Sequence, residues 1–323
     1  MNTVPRIMHN IGLWAEFAKA HPPKPTVGPV GDQRTSRWIN PRKLFPFGYN
    51  PSIIQYGART LMAYRYHPVQ SWETKLAIAE LDHQFNVISN REITLTGPSN
   101  EDPRLFEVGG VLFICYVHSR LQATAAIPIC AVRYGKLIEE EKAWIVEGQT
   151  LVNYEKNGES GLQKNWVPFM HAGKLHFIYD TETVIEVDGA AVTQIHKSVP
   201  KRWKWGKIRG GTSPIEHDGK WLRFFHSRLD NEPKPNGFRY YIGALLMENK
   251  PPFEVIQVSK RPILIGSEID AITVTEKSNC HQWKPNCVLP YGVIQRGDSF
   301  DVSVGVNDSS CVISNINPKD FNL

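Results

Sequence analysis

The chain of 323 residues is 41% hydrophobic and 21% charged, a composition typical of a globular protein with a large core and not of a disordered chain. Its net charge of +5 is too small for the dense basic surface of a nucleic-acid-binding protein. No apolar run reaches the roughly 20 residues that span a membrane, and the N-terminus lacks the apolar stretch of a secretory signal, so we predict a cytoplasmic protein without a membrane partner.

The first predicted element is a short amphipathic helix at residues 11–20, where apolar residues recur near helical spacing. The prolines of residues 21–25 end this helix and begin a stiff linker. Trp14 and Phe17 give the helix an apolar face, which we expect to pack against the rest of the chain or against a second subunit, so a homo-oligomer stays open. We place this N-terminal extension at residues 1–30 and the main domain at residues 31–323.

Strand signals dominate the main domain. Runs rich in Val, Ile, Phe and Tyr recur, each bounded by Gly, Asp, Asn or Pro, as at residues 175–179 and 221–225. Their short length and their turn residues indicate strands and not helices. The sequence therefore predicts a mostly β protein.

Five segments share one pattern of polar residues with a proline, a short strand, a glycine turn and a longer strand. Their prolines are Pro51, Pro103, Pro168, Pro214 and Pro290. Five copies with irregular insertions predict an all-β fold, a five-bladed β-propeller. Because the first strand of each blade lines the axis, we expect one polar residue from each repeat to meet at one end of the axis. These residues are Asn50, Asp102, Asn165, Thr212 and Asp308.

The segment at residues 201–209, KRWKWGKIR, is both basic and aromatic. Such a composition suits stacking on nucleic-acid bases, the lining of a sugar site, or a turn whose tryptophans pack while its lysines face water. The mild charge of the whole chain disfavours nucleic acid as a partner. The other two interpretations stay open.

Five cysteines, an odd number, are spread along the chain without a Cys-x-x-Cys pair. This spacing argues against a disulfide framework and fits a reducing compartment. Cys280, His281 and Cys287 lie near one another, but no second ligand pair accompanies them at a suitable spacing. We therefore predict no metal site and no cofactor.

The residues around the five prolines, in their order along the chain, resemble glycoside hydrolase family 130. The resemblance runs from about residue 50 to residue 308 and rests on Asn50-Pro-Ser52, Glu101-Asp-Pro-Arg104, Lys164-Asn, Gly210-Gly-Thr-x-Pro214, Phe225-His226 and Leu289-Pro-Tyr-Gly292. Members of that family are five-bladed propellers, mostly inverting mannoside phosphorylases with some hydrolases. The resemblance implies an enzyme that acts on an oligosaccharide or glycoside, with inorganic phosphate as a candidate second substrate.

The resemblance also implies roles for individual residues. Asp102 matches the general acid, which passes its proton to the glycosidic oxygen through a sugar hydroxyl. The expected sugar-binding residues are Asn50, Ser52, Arg65 and Asp308, to which the ring of polar residues adds Arg104, Asn165 and Thr212. Lys164 and His226 fall where the phosphorylases of the family contact phosphate. Arg209, a basic residue of this chain, is a further candidate for contact with phosphate or an acceptor.

One departure from the family leaves the nucleophile open. Its phosphorylases usually carry an arginine in a His-Arg-Pro context at the end of a strand in the third repeat, where this chain has Tyr179-Asp-Thr-Glu182. The change removes a bidentate partner for phosphate and adds the carboxylates of Asp180 and Glu182. Phosphorolysis, hydrolysis with Glu182 or Asp180 as the base, and transfer to a sugar acceptor all remain open. The alternative class is a propeller that binds a glycan or a protein without chemistry.

Overall fold

The computed structural model describes residues 38–39, 41, 43–45, 47–68, 73–97, 99–120, 129–154, 163–230, 237–266, 284, 286–321 and 323. The helix predicted at residues 11–20, the linker after it and the boundary at residue 30 lie outside the described residues. Most described residues lie in strands, and a turn of 3₁₀ helix at Pro318–Asp320 follows the last of them.

The described strands form five antiparallel blades of four main strands. The first described strand, β1 (Trp38–Ile39), belongs to the last blade. Blade 1 consists of β2 (Tyr49–Tyr56), β3 (Arg59–Tyr66), β4 (Lys75–Leu81) and β5 (Val87–Thr94). Blade 2 consists of β6 (Ser99–Val108), β7 (Val111–Arg120), β8 (Ile129–Glu139) and β9 (Trp144–Leu151). Blade 3 consists of β10 (Val167–His171), β11 (Lys174–Ile178), β12 (Thr183–Asp188) and β13 (Ala191–Lys197).

Blade 4 consists of β14 (Ile215–His217), β15 (Lys220–Asp230), β16 (Phe238–Met247) and β17 (Val255–Val258), and the short β18 (Leu264–Ile265) also pairs with β16. Blade 5 consists of β19 (Val288–Arg296), β20 (Ser299–Val306) and β21 (Ser310–Ile316), with β1 as its outermost strand. The predicted five-bladed propeller is confirmed, and the N-terminal strand closes the ring by completing the last blade.

Strand β3 shows why the apolar runs do not alternate with polar residues. Leu61 and Ala63 are fully buried in a cluster shared with blade 2, whereas Met62 and Tyr64 are fully buried in a cluster shared with blade 5. Successive side chains of a strand point to opposite faces, and in a propeller both faces of a blade meet a neighbouring blade. A continuous apolar run is therefore what a central strand of this fold requires.

Blades 1 and 2 are also joined at their outer edges. Strands β5 and β9 run parallel, with Ile93 opposite Trp144 and Thr94 opposite Ile145, which makes one sheet of eight strands. Beside this seam, Glu139 of blade 2 accepts hydrogen bonds from Arg59 and Arg91 of blade 1. The two blades are thus linked at a point far from the axis.

The segment at residues 201–209 packs against blade 4. The indole of Trp203 donates a hydrogen bond of 2.6 Å to the carbonyl of Ser259 and contacts the Phe225 ring at 4.9 Å. Trp205 lies 5.3 Å from the Tyr241 ring, while Lys204 is exposed. The described contacts of the tryptophans therefore agree with packing in a turn region, the third of the interpretations drawn from sequence.

No helix within the described ranges has both the length and the apolar character needed to cross a membrane. Of the cysteines, Cys115, Cys130, Cys287 and Cys311 are buried and form no disulfide bond with a described residue. Cys280 and His281 lie outside the described residues. The cytoplasmic location and the homo-oligomer stay predictions.

Candidate functional site

In each blade, one residue within or shortly before the innermost strand has a left-handed backbone conformation. These residues are Asn50 (φ 53°), Asp102 (φ 54°), Asn165 (φ 65°), Gly210 (φ 46°) and Asn286 (φ 62°). Gly, Asn and Asp adopt this region at the lowest steric cost, which explains their use at all five positions. In blade 1 and blade 2 the strand register also shifts across this residue. The bend turns its side chain out of the regular alternation of the strand.

The structure brings the predicted ring together in part. Asn50, Asp102 and Asn165 occupy equivalent positions, but Gly210 holds that position in blade 4 and Asn286 in blade 5. Thr212 is fully buried, and its hydroxyl accepts a hydrogen bond of 3.1 Å from the Phe224 amide. Thr212 therefore stabilises the backbone of its own blade. Asp308 comes from the turn after β20 and interacts electrostatically with Arg65 and Asp102, so it reaches the same end of the axis from a different element.

Asp102 lies in a cluster of alternating charges. Asn50 donates a hydrogen bond of 2.9 Å from Nδ2 to Asp102 Oδ1. Arg65 Nη1 is 3.7 Å from that oxygen and 3.4 Å from Glu101 Oε2, and Lys164 Nζ is also 3.4 Å from Glu101 Oε2. The Asp102 side chain is 13% exposed, so a ligand can reach it.

The cluster sets the ionisation of Asp102. Burial raises the pKa of its carboxyl, but the charges of Arg65, Lys164 and Arg104 and the hydrogen bond from Asn50 outweigh burial and hold the pKa below its usual range. Asp102 is therefore ionised in the free protein near neutral pH. An anion bound beside the cations would cancel part of their charge, raise the pKa of Asp102 and favour its protonated form.

Arg104 lies across the axis, with its Cζ 4.6 Å from the centre of the Tyr291 ring. Its side chain is buried, and neither Nε nor Nη1 has a hydrogen-bond partner among the described residues. Buried polar groups nearly always have partners, because leaving one unpaired costs about 1–3 kcal/mol, and more when the group is charged. The unpaired guanidinium therefore indicates a place where a ligand supplies the acceptors.

Gly210 marks the point where three blades converge. A Cβ on Gly210 would lie 2.9 Å from Cε1 of His226, 3.2 Å from Cβ of Asn165 and 3.3 Å from Nη2 of Arg104. His226 is also buried, and its Nδ1 has no partner among the described residues. The absence of a side chain at residue 210 thus lets Arg104 and His226 approach each other at the axis.

The remaining predicted residues lie around this centre. The Ser52 hydroxyl is buried and accepts a hydrogen bond of 3.0 Å from the Leu105 amide, so it ties blade 1 to blade 2. Arg209 is exposed, and its backbone pairs with that of His226. Asp180 and Glu182 lie in the turn between β11 and β12, at the Asn165 end of blade 3, where Asp180 Oδ1 accepts a hydrogen bond of 3.0 Å from the Glu182 amide.

Three charged residues near the axis had no predicted role: Glu101, Arg223 and Lys284. Arg223 donates to the Gly210 carbonyl, and burial together with Arg104 lowers its pKa to about 9, which leaves it charged at neutral pH. Lys284 donates a hydrogen bond of 3.0 Å to the Tyr240 hydroxyl and interacts electrostatically with Asp308. The sequence does contain a signal for Arg223. A charged residue inside the apolar run Trp221-Leu-Arg-Phe-Phe225 is costly to bury without a partner, so its presence there indicates a specific interaction.

His226 predicts a pH dependence of stability. Burial and the charges of Arg104 and Arg209 lower its pKa to about 3, whereas an unfolded histidine has a pKa of about 6.5. Between these values only the unfolded chain binds the proton, so the free energy of unfolding falls as the pH drops below about 6.5, by at most about 1.4 kcal/mol per pH unit.

We expect this free energy, measured by urea unfolding, to fall less steeply between about pH 6.5 and pH 4.5 in His226→Gln than in the wild type. The slopes should agree above about pH 7.5, where the histidine is neutral in both states. Parallel curves over the whole range would contradict a neutral, buried His226.

Comparison with known proteins adds relatives in sequence and in structure. No family model matches the chain. A 1,2-beta-oligomannan phosphorylase of Thermoanaerobacter sp. is 23% identical over 234 residues, which cover 68% of this chain and 69% of that protein. A beta-1,2-mannobiose phosphorylase of Listeria innocua serovar 6a is 29% identical over 111 residues, which cover 34% of this chain and 27% of that protein.

Three solved structures share the fold at low sequence identity. A mannose phosphorylase of Leishmania mexicana in complex with phosphate ion has a TM-score of 0.58 and 13% identity, with 96% of this chain and 93% of that chain covered. A GDP-Man-dependent mannosyltransferase of the same organism has 0.55 and 12%, with 95% and 94% covered. A protein described with the GH130 mannoside phosphorylases and glycoside hydrolases that target beta-1,2 mannosidic linkages in Candida mannan has 0.56 and 12%, with 90% and 97% covered.

Proposed function

We propose that this chain cleaves β-linked mannosides by phosphorolysis. It is a relative of the mannoside phosphorylases and hydrolases of glycoside hydrolase family 130 and an enzyme of the glycosidase and glycoside phosphorylase kind. The names of the sequence relatives favour a β-1,2-linked manno-oligosaccharide as the substrate. The main support for phosphate as the nucleophile is buried Arg104, whose guanidinium nitrogens Nε and Nη1 have no partner among the described residues.

The charges around Arg104 support an anion at this place. Arg104 Nε and Nη1, Arg223 Nε and Nδ1 of the neutral His226 all lack hydrogen-bond partners among the described residues, and all three side chains are buried. Lys164 adds an ammonium at the rim, where its side chain is 35% exposed. Phosphate offers acceptor oxygens to several guanidinium nitrogens at once, and charge-assisted hydrogen bonds of this kind are the strong ones. Arg104 and Arg223 would thus make the contact to phosphate that an arginine of the third repeat makes in the phosphorylases of the family.

The proposed reaction is a single displacement. Asp102 donates its proton towards the glycosidic oxygen, the bond between that oxygen and C1 breaks, and a phosphate oxygen forms the new bond to C1 from the opposite face. The products are α-mannose 1-phosphate and a saccharide shortened by one unit. Asn50, Arg65 and Asp308 hold the mannosyl unit that is transferred to phosphate. Arg104 and Lys164 position the phosphate, which converts an encounter in solution into a reaction within one site.

Phosphate also prepares the acid in this proposal. The pKa of Asp102 lies below its usual range in the free protein, so the carboxyl carries no proton there. The negative charge of bound phosphate offsets Arg104 and Lys164, two of the cations that lower this pKa. Nucleophile binding and protonation of the acid therefore favour each other, and water, which brings no charge, gives no such help.

The direct test is product analysis after incubation with β-1,2-linked manno-oligosaccharides, with and without phosphate. We expect mannose 1-phosphate to form only when phosphate is present, with free mannose as a minor product. Release of free mannose at the same rate in both reactions would contradict phosphorolysis.

Lys164→Ala is expected to raise the KM for phosphate by about 10- to 100-fold, because one charge-assisted contact to the anion is lost. Slow hydrolysis without phosphate should not fall, since water needs no cation to hold it and the loss of Lys164 removes one of the charges that lower the pKa of Asp102. The measurement is initial-rate kinetics over a range of phosphate concentrations, with Lys142→Ala as the matched control, because Lys142 is exposed in the turn between β8 and β9. Equal KM values in Lys164→Ala and the wild type would remove Lys164 from the phosphate site.

The second candidate is hydrolysis, and the observation that favours it is the position of Asp180 and Glu182 at the site end of blade 3. There a carboxylate can act as a base on water if it stands about 6.5–9.5 Å from the acid. In that case Glu182→Gln or Asp180→Asn should abolish release of free mannose, and Lys164→Ala should be mild. Transfer to a sugar acceptor would instead appear as longer oligosaccharides that form without phosphate.

A further inference from the structure

Blade 3 carries a second group of polar side chains on the face that meets blade 4. His176 of β11, Glu186 of β12 and His196 of β13 each offer a ligand atom, and these atoms all lie within 4.8 Å of one another. The sheet register brings them together, because His176 pairs with Glu186 and His196 pairs with Val184 beside it. All three residues are buried. The proposed reaction gives this group no role.

His176 and Glu186 are already oriented towards each other. His176 Nδ1 donates a hydrogen bond of 3.1 Å to the Lys174 carbonyl, which leaves Nε2 as the acceptor nitrogen, 3.5 Å from Glu186 Oε2. Two atoms bound to one zinc ion at about 2.1 Å with a tetrahedral angle stand roughly 3.4 Å apart. The other oxygen, Oε1, accepts hydrogen bonds from Thr193 Oγ1 at 2.9 Å and Lys174 Nζ at 2.7 Å. Such outer contacts are what orient the ligands of a metal.

His196 supplies an independent observation. It is 7% exposed, and its Nε2 has no hydrogen-bond partner among the described residues. Its ring lies 5.8 Å from that of His176 and 5.2 Å from the apolar ring of Phe253. A nitrogen in such a place lacks both water and a protein partner, an arrangement that costs free energy unless a ligand completes it.

We propose that His176, Glu186 and His196 bind one Zn²⁺ ion that joins the three outer strands of blade 3. Two imidazoles and one carboxylate are ligands that zinc accepts, and water completes the tetrahedron. The positive charge of Lys174 repels the ion. This side chain is 61% exposed, however, and its ammonium contacts Oε1 of Glu186 and not the oxygen Oε2 that lies near His176. The site lies on the outer strands β11, β12 and β13 and not at the axis, so its role is structural and does not depend on the proposed reaction.

The test uses the full chain after removal of metal with a chelator. We expect isothermal titration calorimetry to give one Zn²⁺ per chain, and Zn²⁺ at about a hundredfold excess over its dissociation constant to raise Tm by several degrees. Glu186→Gln and His196→Gln should each weaken binding at least tenfold. His83→Gln, which removes an exposed histidine of blade 1, is the matched control and should bind as the wild type does.

Lys174→Gln provides a variant with the opposite expected sign. The glutamine amide keeps a hydrogen-bond donor for Glu186 Oε1 but carries no positive charge, so Zn²⁺ binding should tighten, a result that damage to the fold would not produce. Circular dichroism of each metal-free variant checks that the blades are intact. The proposal is overturned if the wild type shows neither heat of binding nor a rise in Tm, or if folded Glu186→Gln binds Zn²⁺ as tightly as the wild type.

Discussion

Asp102→Asn is expected to lower kcat for β-mannoside cleavage by about 100- to 10,000-fold, the usual contribution of a positioned general acid. Asparagine keeps the oxygen that accepts the hydrogen bond from Asn50, so the fold and sugar binding should remain within a few-fold of the wild type. The measurements are initial rates with saturating phosphate, calorimetric titration of the oligosaccharide, and Tm. Asp298→Asn, in an exposed turn of blade 5, is the matched control.

This experiment also separates an enzyme from a propeller that only binds glycan. An enzyme loses turnover in Asp102→Asn while sugar binding survives, whereas a binding module shows no turnover in either form. Wild-type rates in the variant would remove Asp102 from the chemistry. With limiting phosphate the wild-type rate should decline as the pH rises through the lowered pKa of Asp102, and more phosphate should move this decline to higher pH.

Gly292→Ala should destabilise the fold by on the order of 3 kcal/mol and lower Tm by about 4–5 °C, because the added methyl has no space. A Cβ there would lie 2.3 Å from the amide nitrogen and 2.5 Å from the carbonyl oxygen of Ile53, both in the backbone of blade 1. The same contact is held by Ser303, whose hydroxyl donates to the Pro51 carbonyl at 2.6 Å and accepts from the Gly292 amide at 3.0 Å. The methyl would therefore push blade 5 away from blade 1.

Thermal unfolding followed by circular dichroism measures this effect. Gly57→Ala is the control, since a Cβ there meets nothing within 4 Å and only its φ of 56° opposes an alanine, at a cost of about 1–2 kcal/mol. A Gly292→Ala variant that melts at the wild-type temperature would show that the two inner strands have room to separate.

The sequence predicted the blade count and the inner strands because each repeat carries its own local signals. A polar residue, a proline and a glycine turn are short-range features that survive irregular insertions. Alignment by proline, however, misplaced two members of the ring. The proline follows the left-handed residue directly in blades 1 and 2. In blades 4 and 5 it lies several residues later, at Pro214 and Pro290, so the proline pattern does not point to Gly210 and Asn286.

Other features depend on long-range packing that no local pattern encodes. The parallel contact of β5 and β9 joins residues about 50 positions apart at two pairs only. His176, Glu186 and His196 are spaced by ten residues, and only the register of three strands makes them neighbours. Lys284 carries no sequence signal at all, because its value lies in its approach to Tyr240 and Asp308.

The seam between β5 and β9 has a mechanical consequence. At their inner ends, blades 1 and 2 are joined by the hydrogen bond between Asn50 and Asp102. At their outer ends, Glu139 of blade 2 accepts hydrogen bonds from Arg59 and Arg91 of blade 1. We expect a pair fastened at both ends to move as one plate, so that the ring flexes as four bodies and not five. Any opening of the funnel to admit sugars is then expected at the other blade boundaries, with the distance between Asn50 and Asp102 unchanged.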